Sequence, residues 1–206
     1  SSGANPSPVI TGGGVTTWEQ VASVTFDTLG FPLKRMTLYR AMSASPGSGP
    51  ITITFSGSVS NCQWIVSQWT GTETSGTNGS GAIGQVQSNA ANVVSGMGVT
   101  LGAFGNAANV ALGVFGVNSS TAAITPGSGF TEISEVSSAE SPYSSLMTEW
   151  AVNHPTVNAS WTNLRGAVVG VEIKAKTETK VIPGAGHLAE LDKPDEVAAA
   201  VLAFMR

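Results

Sequence analysis

The sequence predicts a mainly β protein: an antiparallel β-sandwich of jelly-roll type with a C-terminal α-helix. Three observations carry that prediction. Apolar and polar residues alternate with period two through much of the chain before Ala175. Clusters of Gly and Pro separate the alternating runs. Charge density and periodicity then change together near Ala175.

The strands follow in order. Val21-Ala-Ser-Val-Thr-Phe26, Met36-Thr-Leu-Tyr39 and Ile51-Thr-Ile-Thr-Phe55 alternate and are rich in Thr, Ile, Val and aromatics. That is the pattern of a strand with one face buried. Cys62 to Trp69 reads as a longer strand, with Cys62 as a small buried side chain on it. Val93 to Phe104 is a weaker strand, interrupted by Gly96 and Gly98. Asn109 to Val117 is almost continuously apolar, so it predicts a strand covered on both faces. Ser145–Trp150, Thr156–Trp161 and Ala167–Ile173 complete the set. Gly12 to Gly14, Ser45 to Pro50, Gly71 to Gly84 and Thr125 to Gly129 supply the turns and loops, since Gly allows positive φ and Pro presets it. A parallel α/β sheet would need helical segments between strands, and the pattern offers none before residue 190.

Composition narrows the function classes. The chain has 206 residues, enough for one large core. Charged residues are 11% and the net charge is -4 with 9 Lys and Arg. Nucleic-acid binding needs a basic stripe to displace counterions, so it is not expected. No apolar run reaches the ~18 residues of a membrane helix, and no membrane partner is expected. The single cysteine excludes an internal disulfide and a Cys-rich zinc site. His154 and His187 lack metal-ligand spacing, so neither metal nor cofactor is expected.

The tail is a different regime. Residues 1–173 hold Lys34, Arg35, Arg40 and Arg165 as their cations, whereas the last 33 residues hold five more. The expected division is 1–175 for the β domain and 176–206 for a strand, loop and helix. Lys180 to Ile182 reads as a short strand. Asp192-Lys-Pro-Asp-Glu196 reads as a helix start, with a capping Asp, Pro in the first turn and acids at the positive dipole end. Val197, Val201 and Met205 line one face of that helix, and burial of this face is expected.

Two resemblances add to this reading. Val181-Ile-Pro-Gly-Ala-Gly-His-Leu188 with the helix to Arg206 resembles the C-terminus of an α/β-hydrolase. That resemblance implies that His187 descends from the triad base. The family's Gly-x-Ser-x-Gly elbow is missing from any strand-to-helix setting, because Gly47-Ser-Gly49, Gly79-Ser-Gly81 and Gly127-Ser-Gly129 are turns. His187 is therefore expected to be inactive. Residues 15–175 resemble Gly/Ser/Thr-rich β-sandwich proteins of phage virions and bacterial surfaces. The carrying segments are Thr17-Trp-Glu-Gln-Val-Ala-Ser-Val24, Thr37-Leu-Tyr-Arg40, Ile51 to Phe55, Gln68-Trp-Thr-Gly71, Pro126 to Glu132 and Val169 to Lys174. The opening strand usual in that group is missing from the pattern, which predicts an unpaired sheet edge.

The expected function is a non-enzymatic structural or surface-attachment module, such as a capsid-decorating or virion-surface protein. Its expected partners are other protein subunits or glycans, and its expected location is extracellular or on a virion. A carbohydrate-binding module of a secreted enzyme is the alternative, and an esterase or its remnant is the second. Trp64 and Trp69 differ by five positions, so on a strand they face opposite sides and one is expected to face outward as a binding residue. Glu132, Glu135, Glu140 and Glu149 are candidates for an acid/base pair of the glycosidase kind, or for an acidic loop face.

Overall fold

A computed structural model describes residues 6–26, 34–47, 49–119, 123–138 and 140–176. The chain divides into two compact units, 1–176 and 177–206. The predicted strand at Lys180, the loop at His187 and the terminal helix lie outside the described residues.

The first unit is mainly β and every strand pair is antiparallel. Its strands are β1 Pro8–Gly12, β2 Glu19–Phe26, β3 Lys34–Arg40, β4 Ile51–Phe55, β5 Ile83–Thr100, β6 Val110–Val117, β7 Thr125–Pro126, β8 Thr131–Ser137, β9 Ser145–Val152 and β10 Thr156–Ile173. A short 3-10 turn spans Thr77–Ala82. The main sheet runs β5-β10-β6-β9-β8, with β7 also on β10. Two ribbons, β1–β4 and β2–β3, stand apart from it.

Both faces of the main sheet are covered, and β6 is buried along nearly its whole length. On the first face Phe115, Met147 and Val168 form one core with Val157, Ala159 and Trp161. The last three belong to the first half of β10, so this 18-residue strand bends back over its own second half. The bend falls where the β5–β10 register shifts, between Ser160 and Gly166, opposite Val93 (φ 59) and Gly96 (φ 147). On the second face Leu112, Val114, Val169 and Val171 pack against Phe26 and Met36 of the β2–β3 hairpin.

Several expectations are corrected. Cys62 to Trp69 is not a strand: it runs without turn or bend, has alternating exposure along its first half, and joins no ladder. Alternation reports one-sided burial of an extended chain, and that does not require a pairing neighbour. Cys62 is exposed, not buried. The expected loop to Gly84 ends early, because Ile83 already opens β5. Thr156–Trp161 and Ala167–Ile173 are one strand, joined through the bulged bend. An opening strand does exist: Pro8–Gly12 pairs with Ile51–Phe55, and only two of its residues, Val9 and Ile10, are large and apolar. The short β8 edge was also missed, since its Glu132 and Glu135 hide the alternation.

Candidate functional site

A cleft of about 950 Å³ opens on the second face of the main sheet. Its floor includes Leu112, Val114 and Val171, and its walls come from β2–β3, β1–β4 and the segment Ser58 to Thr72. Alternation places Met36 of β3 into the core, and the hairpin holds all of β3 at least half-buried. Three cations, Lys34, Arg35 and Arg40, line the cleft. The Arg40 Nη1 donates to the Asn78 carbonyl at 2.5 Å. The Arg35 Nη2 is buried without a hydrogen-bond partner among the described residues, and so is the Thr148 Oγ1 on the sheet floor.

Trp64 and Trp69 both line this cleft. Trp64 is 56% exposed. Trp69 is half-buried, meets Trp150 edge-to-face at 6.1 Å and donates its Nε1–H to the Ser67 hydroxyl at 2.9 Å. The neighbouring amides are committed within the protein. Gln63 donates to the Asn61 Oδ1 at 2.9 Å and accepts from the Ser144 hydroxyl, while Asn61 donates to the Ser138 hydroxyl.

The acidic candidates differ sharply in burial. Glu132 stands opposite Glu149 in the β8–β9 register. Glu132 is exposed, yet Glu149 is wholly buried, so no substrate bond lies open between them. The Gly127 N–H donates to the Glu149 Oε2 at 3.0 Å, and Oε1 has no partner among the described residues. Burial pushes this carboxyl up to about 7, against the weaker lowering effect of the Gly127 bond. Glu135 is also raised by burial, offset in part by the Ile124 N–H, and the neighbouring charge of Glu132 raises it further. Glu140 is exposed.

Glu172 is a second buried carboxylate, which sequence reasoning missed. It accepts from Asn109 Nδ2 at 2.6 Å and Gln85 Nε2 at 3.0 Å. Asn109 also accepts the Ala175 N–H, so this network ties the end of β10 to the start of β6. His154 accompanies Phe130 edge-to-face at 4.8 Å beside the Gly129 turn. No group of three His, Cys, Asp or Glu suited to a metal occurs among the described residues. No helix among them is long and apolar enough to cross a membrane.

The sheet has one further feature of functional interest. β5 is an edge strand of 18 residues without a single charge or proline. Gln87, Ser88, Asn89 and Ala90 in its middle are exposed in succession.

Comparison with protein-family models, curated proteins and solved structures finds no match to this chain.

Proposed function

We propose that this chain is a non-enzymatic module of the β-sandwich class that serves assembly or surface attachment, of the kind found on virions and outside cells. The observation that carries this reading is the β5 edge. An edge strand presents unpaired N–H and C=O groups to any second strand, and proteins usually blunt it with charge, proline or brevity. The opposite edge, β8, has seven residues and carries Glu132 and Glu135. β5 has 18 residues without charge or proline, and its register shifts leave Val86 to Ala91 regularly paired between them, with Gln87 to Ala90 exposed. Strand addition at β5 joins such modules to one another or to a partner subunit.

The test is light scattering after gel filtration. The native chain is expected to self-associate at micromolar concentration. The double variant Ser88→Lys, Ala90→Lys places charge at the edge and is expected to be monomeric with an unchanged circular dichroism spectrum. A monomeric native chain removes support for assembly through this edge.

Exposed Trp64 favours a second reading, a carbohydrate-binding module, because sugar rings stack on outward aromatic faces. Saturable binding on a glycan array, lost in Trp64→Ala, supports that reading over the first.

A further inference from the structure

We propose that the cleft on the second face of the main sheet binds a single-chain amphiphile with a carboxylate head, such as a long-chain fatty acid. This inference does not rest on the assembly reading, which concerns the β5 edge.

Charge distribution is the first argument. The protein has a net charge of -4, and residues 1–173 contain Lys34, Arg35, Arg40 and Arg165 as their cations. Three of these four line one cleft, and no Asp, Glu or His appears among the described residues that line it; Glu19 stands opposite Arg40 in the β2–β3 register, just outside the lining. An acidic protein that gathers its cations around an apolar hollow creates a local field suited to an anion.

The unpaired groups are the second argument. A guanidinium stays charged at any physiological pH, and its planar fork matches a carboxylate. Arg40 is engaged by Asn78, whereas the Arg35 Nη2 is buried and has no acceptor among the described residues. Leaving such a donor unmatched is costly, so an arriving carboxylate gains by accepting from it. Thr148 is 8% exposed and its Oγ1 is likewise without a partner.

The walls decide what carries the carboxylate. Ile10, Ile51, Ile53 and Phe55 of the β1–β4 ribbon, together with Ile65, are only partly buried and give the cleft a hydrocarbon lining. An inorganic anion gains nothing from such a lining, whereas an alkyl chain buries its whole length against it. The volume of about 950 Å³ lies at the upper end of the range for small-molecule sites, with room for an alkyl chain.

Trp18, Trp64 and Trp69 line the cleft, so their fluorescence reports occupancy. The full chain is titrated with dodecanoate and with dodecanol, both below micelle formation, and with hexaglutamate. Dodecanoate is expected to saturate, and to bind about tenfold or more tightly than dodecanol, since a hydrogen bond to a charged group is at stake. Arg35→Gln is expected to weaken dodecanoate to the level of dodecanol and leave dodecanol unchanged. If that variant fails to fold, the contrast between the two head groups on the native chain decides. Equal binding of dodecanoate and dodecanol, no saturation by dodecanoate, unchanged dodecanoate affinity in folded Arg35→Gln, or saturation by hexaglutamate alone overturns the proposal.

Discussion

The side chain of Val157 fills the space above Gly113: its Cγ1 lies 2.8 Å from where a Cβ at position 113 would stand. Gly113 pairs across the sheet with Gly170, whose own missing Cβ would meet Val99 at 2.6 Å and Val157 at 3.3 Å. Two opposed glycines thus form a saddle that lets β10 fold back on itself.

Gly113→Ala should therefore destabilise the fold, by roughly 1–3 kcal/mol for overpacking a closed core. Combining it with Val157→Ala should cost less than the sum of the two single changes, because the second change clears part of the clash. Urea denaturation of the three variants measures this. Strict additivity would show that the two residues do not compete for one space.

Glu149 makes stability depend on pH in a defined direction. Its carboxyl is raised from 4.5 to about 7 by burial, so the folded chain holds a proton that the unfolded chain releases. Where the folded state binds the extra proton, stability falls as pH rises. The penalty is absent below about 4.5, grows through the window and is complete above about 7. Glu149→Gln keeps the shape and removes the titration. Its stability relative to the native chain should rise across that window by on the order of 3 kcal/mol. The unpaired site at Oε1 adds only a pH-independent offset, so the slope is the readout. A difference that stays flat from about pH 4 to about pH 8 would refute the assignment.

Cys62 should be labelled in the native state. The residue is exposed, although burial around its sulfur pushes the thiol pKa up. Thiolate is the reactive form, so labelling by a disulfide reagent should be slower than for a free cysteine at about pH 8 and should accelerate with pH. Labelling only after denaturation would restore the expectation of a buried side chain.

Parts of this architecture were legible in the residues. The apolar run from Asn109 to Val117 predicts a strand covered on both faces, and β6 is the centre of both cores. Ile51-Thr-Ile-Thr-Phe55 predicts a strand whose bounds match β4. Trp64 is exposed and Trp69 half-buried, yet both line one cleft on a segment that joins no ladder, so strand spacing does not account for the difference. The cleft left a sequence trace as well. Lys34, Arg35 and Arg40 stand within seven residues of one strand in a chain otherwise poor in cations. Nothing in that spacing says that they gather around a hollow.

By itself the sequence determined the β class and the places of most strands, because alternation and turn chemistry act over a few neighbouring residues. Only the tertiary structure decided the rest. Cys62 to Trp69 has the alternation of a strand and no ladder, since pairing depends on what another segment offers. Glu149 and Glu132 look alike in sequence and stand opposite each other on one face, yet one is buried and one exposed, because the Gly127 turn lies over the inner strand β9 whereas β8 is the edge of the sheet. Gly113, Gly170 and Val157 meet although 57 residues separate the first two and 13 the last two. Contacts of that reach are properties of packing, and no local pattern encodes which distant side chain will arrive.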